Sequence, residues 1–312
     1  MEKLSVIIPC FNDEENIVNL KRELILEFKK YTYKYEIIFI DDGSKDKTFS
    51  EIEKIISEDK VENIDYVALQ LSKNYGQHQA IWSGLEKATG DKVAIISSDL
   101  QEMPSQIFEM IKFLDTDTDQ VYGIRKNYNP PFIKKYGSII FWNLINYLSD
   151  LNFDRRQVTF RVMTRRFVNA ALTYGDRNLF VHGVFLSIGF KSKKFEFNLE
   201  DRKYSKSGWT IRKSVELAIN AISTFSIQPL RAGILLGFIC TALAIIFSIY
   251  VAIRKLVFDF NIPGYASILI LVSSMFAMQF FLIGVIGEYI GKVYLQTLNR
   301  PRFIIKNEKR TS

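Results

Sequence analysis

Acidic residues lie at two points of the sequence where predicted strands end. Asp41 and Asp42 follow the apolar run YEIIFI, and Asp99 follows the run KVAIISS. Gln101 comes two residues after Asp99, and in extended backbone two such residues face the same side. A carboxylate and an amide oxygen could therefore hold one hard divalent cation, with substrate phosphates and waters completing its coordination. Turn formation and helix capping explain the same residues equally well from the pattern alone.

Three cationic residues could bind phosphate groups. Arg202 and Lys206 lie in the polar segment DRKYSKSGW, and Arg161 lies in VTFRVMTRR. A guanidinium group can bind phosphate through two parallel hydrogen bonds. The alternatives are a cationic collar beside a membrane for Arg202 and Lys206, and solvation of a helix for Arg161. The two histidines, His78 and His182, have no partner at a recognisable spacing, so we expect non-catalytic roles for both.

The elements that would position these residues alternate between strands and helices from residue 3 to about residue 119. Strands are predicted in LSVIIP, YEIIFI, DYVALQL and KVAIIS, because each is a short apolar run rich in β-branched residues. The segments between them have apolar residues at helical spacing, as in Ile17, Leu20, Leu24 and Phe28. This alternation predicts an α/β fold with a mostly parallel sheet that is covered on both faces. Ligands of such sheets bind at the carboxyl ends of the strands, where both acidic segments lie.

Two long apolar segments follow in the last third of the chain. Residues 232–253 contain no charged residue, and residues 266–291 contain one acid, Glu288. Each segment is long enough to span a bilayer. Two spans put both flanking parts of the chain on one side, where most of the Lys and Arg residues lie, and the loop between the spans has only Arg254 and Lys255 as cations. The positive-inside bias predicts a multi-pass protein of the inner (plasma) membrane with its large domain in the cytoplasm.

The segment before the first apolar run is predicted to be an amphipathic helix. IRKSVELAINAISTFSIQ places its apolar residues on one helical stripe, which favours a helix lying at the membrane interface. Packing of that stripe on the soluble domain is the alternative. We therefore divide the chain into an α/β domain (residues 1–210), a juxtamembrane amphipathic helix (211–230), and a two-helix transmembrane domain with a basic tail (231–312).

Charge and cysteine content exclude some classes of protein. The net charge of +7 suits an anionic membrane surface, phosphorylated substrates or nucleic acid. The basic residues crowd the membrane-proximal segment and no recognition motif is present, so we expect no nucleic-acid partner. Cys10 and Cys240 are the only cysteines, which excludes a disulfide framework and a cysteine-rich zinc site.

Seven motifs occur in a characteristic order along nearly the whole chain. They are SVIIPCFNDEENI, IFIDDGSKDKT, LSKNYGQHQAIWSGLEKATGD, SSDLQEMP, TFRVMTRR, RKYSKSGWTIRK and FSIQPLR. With these motifs and the two apolar spans, the chain resembles the family 2 glycosyltransferases of the polyprenyl-phosphate type. It is similar to the dolichyl-phosphate mannose synthases and the bactoprenol glucosyltransferases.

The resemblance implies a GT-A fold, a nucleotide-sugar donor (a UDP-sugar), Mg²⁺ or Mn²⁺, and inverting transfer of one sugar. The implied acceptor is undecaprenyl (polyprenyl) phosphate in the lipid bilayer, giving a lipid-linked sugar for cell-envelope glycans, and a homo-oligomer is expected. The cation is expected at Asp99 and Gln101, and Arg161 is expected to face the acceptor phosphate and to act with Asp99 in catalysis. The expected nucleotide-sugar pocket comprises Pro9, Phe11, Asp13, Asp41, Asp42, Lys73, Ser98, Arg202 and Lys206.

The chain departs from the family pattern at three places. Ser97 replaces the first acid of Asp-x-Asp, Glu102-Met103 replaces Asp-Pro, and Val158-Thr159 replaces Gly-Asp, whose aspartate is a candidate base. A phosphate acceptor is largely dianionic at pH 7 and can attack without a base, whereas a hydroxyl acceptor needs one. Thr159 therefore favours a phosphate acceptor. The alternatives are a hydroxyl acceptor on a glycan or lipid, and a nucleotide-sugar-binding membrane protein that has lost catalysis.

Overall fold

The computed structural model describes residues 1–58, 61–126, 146, 154–175, 180–199, 228–258, 264–298 and 300–311. The chain divides into two compact units. Unit 1 contains Met1–Leu144, Leu151–Val215 and Arg300–Ser312, and unit 2 contains Ile145–Asp150 and Glu216–Asn299. Residues 201–227 lie outside the described part, and with them most of the predicted amphipathic helix, together with Arg202 and Lys206.

Unit 1 is built on one eight-stranded sheet, counted over the described residues. The strands are β1 (Lys3–Cys10), β2 (Lys34–Asp41), β3 (Ile64–Leu71), β4 (Lys92–Ile95), β5 (Gln120–Arg125), β6 (Gln157–Thr164), β7 (Ser192–Phe197) and β8 (Ile305–Arg310). Their order across the sheet is β7-β5-β6-β4-β1-β2-β3-β8. The central strands β4, β1, β2 and β3 are mutually parallel, whereas β6 and β8 pair antiparallel with β4 and β3. The predicted α/β fold with a mostly parallel sheet is confirmed.

The central strands are buried on both faces, which explains their nearly continuous apolar sequences. In β1 and β2 every residue after the first is buried. Six described helices belong to this unit: α1 (Glu14–Phe28), α2 (Thr48–Glu58), α3 (Gln77–Lys87), α4 (Pro104–Ile111), α5 (Arg165–Leu172) and α6 (Val181–Ser187). Helix α1 buries the predicted stripe of Ile17, Leu20, Leu24 and Phe28. Helix α4 begins at Pro104, which suits a first helical position because the proline nitrogen has no hydrogen to leave unpaired.

The C-terminal tail corrects one part of the domain assignment. The sequence places residues 231–312 in a transmembrane domain with a basic tail, but Ile305–Arg310 form strand β8 of unit 1. Strand β8 pairs antiparallel with β3 from Val67↔Arg310 to Leu71↔Ile305. The residues of β8 are mostly exposed and charged, so their hydropathy resembles that of a solvated tail. Charged side chains are also common on edge strands of sheets, where they discourage pairing with other chains.

Unit 2 contains two long helices, α7 (Gln228–Phe258) and α8 (Tyr265–Thr297). Both are long and apolar enough to cross a membrane, over Leu230–Phe247 and Ser274–Thr297. Their 31 and 33 residues exceed the roughly 20 that a bilayer core requires. The two helices touch, since Cys240 Sγ lies 3.2 Å from Met278 Sδ. The two predicted apolar segments are therefore helices in the structure.

Candidate active site

The strand order creates a crevice at the carboxyl ends of β1 and β4. From β1 the chain proceeds through β2 and β3 to one side, and then returns to place β4 on the other side of β1. Open parallel sheets bind ligands at such a reversal of strand order, because the loops leave the two strands in opposite directions. Asp13 follows β1 and Ser98 and Asp99 follow β4, so three predicted site residues lie at this point.

The loops after β1 and β4 are joined directly across the crevice. The Ser98 hydroxyl donates to Asp13 Oδ2 at 2.6 Å, and the Phe11 N–H donates to the same oxygen at 3.1 Å. Pro9 is buried within β1, whereas the side chain of Phe11 is 42% exposed. Asn12 has a φ of 54°, a left-handed conformation that asparagine adopts more readily than most residues. The turn therefore presents an aromatic ring beside a fixed carboxylate.

The two acids at the end of β2 are buried and serve different loops. Asp41 Oδ1 accepts from the Ser44 N–H at 3.0 Å, which closes the turn after β2. Asp42 accepts from the Tyr75 and Gly76 N–H groups at 2.7 and 2.8 Å, so it holds the loop between β3 and α3. Burial raises the pKa of Asp42 to about 6, against the two backbone hydrogen bonds that lower it.

Gly43 allows the loops after β2 and β3 to meet. Its φ is +67°, and a Cβ on it would lie 2.4 Å from the Lys73 carbonyl carbon. Only glycine fits such an approach without displacing backbone. Lys73 is exposed in this loop, with its ammonium 5.1 Å from the centre of the Tyr75 ring. The predicted site residue Lys73 thus lies at the same sheet edge as Asp41 and Asp42.

The segment after β4 folds back on itself through Glu102. Its Oε2 accepts from the Ser97 N–H at 2.7 Å, and the Gln101 N–H donates to Asp99 Oδ1 at 3.3 Å. Leu100 between them has a φ of 58°. Burial, with a contribution from the charge of Asp99, raises the pKa of Glu102 to about 7, although the Ser97 N–H opposes this. Glu102 was not among the predicted site residues. The sequence did indicate that it is unusual, because it replaces the aspartate of the family pattern.

Asp99 and Gln101 present oxygen ligands of the kind that Mg²⁺ and Mn²⁺ prefer. Both are half-buried at the crevice, and Asp13 contributes a further carboxylate across it. Among the residues that the structure describes there is no group of three His, Cys, Asp or Glu side chains able to hold a metal alone. The residues therefore fit a cation that takes one or two protein ligands and completes its coordination with substrate phosphates and water.

Arg161 lies beside this edge but inside the protein. It stands on β6 opposite Ile95 of β4, and its side chain is fully buried. The guanidinium donates to the carbonyl oxygens of Val158 and Thr159 and to Gln120 Oε1, at 3.0–3.3 Å. Burial lowers the pKa of Arg161 to about 9. The predicted contact with an acceptor phosphate stays a prediction, and in this structure Arg161 holds the backbone around Thr159.

His182 completes the surroundings of Arg161. Its Nδ1 lies 2.9 Å from the guanidinium, and it must accept, because a guanidinium only donates. Burial and the charge of Arg161 lower the pKa of His182 and bring that of His78 to about 4. The rings of the two histidines lie 5.8 Å apart. The lowered pKa values favour the neutral form of both rings, and the non-catalytic role expected for them stays a prediction.

The fold and the acidic crevice together define a GT-A glycosyltransferase. The chain belongs to glycosyl transferase family 2, whose model matches residues 5–173. The bactoprenol glucosyl transferase of Shigella phage SfV is 32% identical over 98% of this chain and 99% of its own length. The prophage bactoprenol glucosyl transferase homolog of Escherichia coli K12 is 31% identical over 99% of this chain and 100% of its own length. Among solved structures, mannosyl-3-phosphoglycerate synthase from Rubrobacter xylanophilus is 13% identical, with a TM-score of 0.49 over 71% of this chain and 72% of its own.

Proposed function

We propose that this glycosyltransferase transfers one sugar from a UDP-sugar to undecaprenyl (polyprenyl) phosphate at the cytoplasmic face of the inner membrane, with inversion. The observation that carries the proposal is the full-length similarity to relatives named bactoprenol glucosyl transferase, which extends beyond the catalytic domain through both long apolar helices. A lipid acceptor explains why a GT-A domain, which uses a nucleotide-sugar donor, occurs in one chain with two helices long enough to span a membrane.

The donor side of the site is the crevice between the loops after β1, β2, β3 and β4. Asp13, Asp41 and the exposed Phe11 and Lys73 provide hydrogen-bond acceptors, an aromatic ring and a cation for the nucleotide. Asp99 and Gln101 would hold Mg²⁺ or Mn²⁺ against the donor diphosphate. The bound cation supplies charge neutralisation for the leaving nucleoside diphosphate. Arg202 and Lys206, outside the described residues, are proposed to bind the same diphosphate.

The reaction that we propose is a direct displacement. An oxygen of the acceptor phosphate attacks the anomeric carbon, the new C–O bond forms, and the bond to the diphosphate breaks with its electron pair leaving on the nucleoside diphosphate. No proton has to be removed, because the phosphate is already ionised at pH 7. The presence of Thr159 in place of an acid is consistent with this acceptor, and the contribution of the protein is mainly positioning and charge stabilisation.

The two apolar helices and the basic flanking segments support the proposed membrane arrangement. Both chain segments of unit 1 that flank unit 2 would lie on one side of the bilayer, with the cations that favour the cytoplasmic side. We also propose a homo-oligomer, as the family resemblance implies. Crosslinking in native membranes tests the oligomer, and labelling of cysteines introduced at residues 45 and 261 from either side of the membrane tests the orientation.

The decisive experiment is transfer by purified full-length protein in lipid nanodiscs with radiolabelled UDP- and GDP-sugars. We expect labelled lipid with undecaprenyl phosphate and Mg²⁺ or Mn²⁺, and none after chelation by EDTA. Undecaprenol, which differs only in lacking the phosphate, is the matched acceptor control and should remain unlabelled. Well-folded protein that labels neither lipid with any common donor would overturn the proposal, and equal labelling of undecaprenol would replace it with a hydroxyl acceptor.

A further inference from the structure

Strand β8 pairs with β3 and reaches the carboxyl ends of the strands, where the proposed nucleotide pocket lies. Asn307 of β8 lies opposite Gln70 of β3, 237 residues earlier in the chain. Gln70 is the next-to-last residue of β3, and it lies opposite Asp41 of β2 in the register. Three neighbouring strands therefore align a side chain each, at the end of the sheet where ligands bind.

These three side chains form a hydrogen-bond relay with a defined direction. Asp41 is a carboxylate and can only accept, so the Gln70 amide must present its Nε2 to Asp41 Oδ2, at 3.3 Å. Gln70 Oε1 then faces β8, where Asn307 Nδ2 donates to it at 2.6 Å. The amide of Asn307 therefore orients that of Gln70, which in turn donates to the proposed nucleotide-binding carboxylate.

The backbone just before β8 also supports the loop between β3 and α3. The Ile304 carbonyl oxygen accepts from the Ser72 N–H at 2.9 Å. This is the loop whose far end is held by Asp42 through Tyr75 and Gly76. Arg302 stacks on the Trp82 ring, with 4.9 Å from its guanidinium carbon to the ring centre, and donates to the Tyr174 carbonyl oxygen. The tail thus contacts the beginning of the loop that carries Lys73 and the helix α3 that follows this loop.

We propose that Asn307, in the segment after the second long helix, is a positioning residue of the donor site that acts through Gln70 on Asp41. The inference rests on the proposed function, since it takes the ligand of this crevice to be a nucleoside diphosphate sugar. The carboxylate of Asp41 has one oxygen committed to the Ser44 N–H. The Gln70 relay fixes the other oxygen, and therefore the direction in which Asp41 presents its remaining lone pairs to a base or ribose.

The test uses an isosteric change that reverses the direction of the relay. In Asn307→Asp the side chain can only accept, so Gln70 turns its Nε2 toward residue 307 and its Oε1 toward Asp41, setting acceptor against acceptor. We expect the donor KM to rise about tenfold in Asn307→Asp and about threefold in Asn307→Ala, the range for one lost or opposed hydrogen bond. The kcat should stay within about twofold of the wild-type value, because the variants weaken donor binding by the same amount in the ground state and in the transition state. Lys306→Ala, at the adjacent exposed position, is the matched control with an unchanged KM.

A second series separates positioning from general stabilisation of the sheet edge. In a Gln70→Ala background the relay is already broken, so adding Asn307→Asp should have no further effect on donor KM or on UDP binding measured by calorimetry. Equal effects of Asn307→Asp in both backgrounds, or a lowered melting temperature with an unchanged KM, would overturn the inference. Wild-type protein that binds neither UDP nor GDP would instead overturn the proposed function, and the inference with it. Should Asn307→Asp not fold, Asn307→Ala and Gln70→Ala complete the same cycle.

Discussion

Strand β2 carries buried carboxylates near both of its ends, and their surroundings differ. At the amino end, Glu36 accepts from the Ser5 hydroxyl at 2.6 Å, from the Thr89 N–H and hydroxyl at 2.8 Å, and from Lys3 Nζ at 3.3 Å. At the carboxyl end, Asp42 accepts only from backbone N–H groups among its described hydrogen bonds. Glu36 is thus hydrogen-bonded by a lysine, two hydroxyl groups and one backbone N–H, whereas the described partners of Asp42 are backbone N–H groups of a loop.

The pKa values follow this difference. Burial raises the pKa of Glu36, but the hydrogen bonds from Ser5 and Thr89 and the charge of Lys3 more than offset it, and the net pKa is lowered. Burial dominates at Asp42 and raises its pKa to about 6. The amino end is therefore a completed structural network. The carboxyl end retains unfavourable negative charge, which a bound cation or a hydrogen-bonding ligand would relieve.

The largest expected effect is on catalysis, at the carboxyl end. Asp99→Ala should lower transfer activity about a thousandfold, because it removes the proposed carboxylate ligand of the cation and several kcal/mol of charge stabilisation. Activity is measured as labelled lipid over a range of Mg²⁺ and Mn²⁺ concentrations. Asp117→Ala, whose side chain is 75% exposed, is the control and should retain full activity. Normal transfer by Asp99→Ala at ordinary metal concentrations would show that Asp99 is only a turn residue.

The largest expected effect on stability is at the amino end. Glu36→Ala should reduce the free energy of unfolding by about 3 kcal/mol, because it leaves buried donors on Ser5 and Thr89 without their acceptor. Asp65→Ala is a matched control, since Asp65 contacts the same Lys3 ammonium at 3.3 Å from an exposed position. It should cost less than about 1 kcal/mol. Denaturant unfolding in detergent measures both, and equal losses would contradict the contrast between the two ends.

A smaller loss is expected where the loops of the carboxyl end meet. Gly43→Ala should cost about 2 kcal/mol and raise the donor KM, because the new methyl group collides with the Lys73 backbone at a positive φ. Gly189→Ala isolates the backbone cost, since Gly189 has a φ of +75° but no atom within 4 Å of an added Cβ. It should cost about 1 kcal/mol and leave the KM unchanged. If both variants lost the same free energy of unfolding and had the same donor KM, the close approach of Gly43 to the Lys73 backbone would not contribute to stability or to donor binding.

An effect of similar size is expected in the pH dependence of stability, with opposite sign at the two ends of β2. Glu36 has a lowered pKa in the folded state, so its contribution to stability is present at neutral pH and is lost as the pH falls below 4.5. Asp42 has a raised pKa, so its contribution is present below 3.8 and is lost as the pH rises through about 6. Relative to Asp42→Asn, the wild type should therefore lose about 2 kcal/mol between pH 4 and 6.

Unfolding curves from pH 3.5 to 7 measure both effects. Relative to Glu36→Gln, the wild type should lose stability toward low pH, and the two difference curves should slope in opposite directions. Difference curves that slope in the same direction would mean that Glu36 and Asp42 have the same kind of environment, which would contradict the contrast between the two ends of β2.

Local patterns in the sequence determined the strands, the helices and the chemistry at the strand ends. The alternation of apolar runs with helical stripes predicted the α/β fold, because periodicity records which face of each element is buried. The acids Asp41, Asp42 and Asp99 were predicted at the carboxyl ends of strands, where β2 and β4 do end. The hydrogen bond from Ser98 to Asp13 joins the loops after β4 and β1 at the same end of the sheet. The two apolar helices were also evident from composition alone.

Tertiary structure alone decided which of these residues face inward and which distant segment supports them. Arg161 reads as an available cation in the sequence, but pairing of β6 with β4 buries it. The charged tail reads as solvated, but pairing with β3 makes it a strand whose Asn307 reaches Gln70 and, through it, Asp41. Such partners are set by strand order and register over hundreds of residues, and side-chain periodicity within one element contains no information about them.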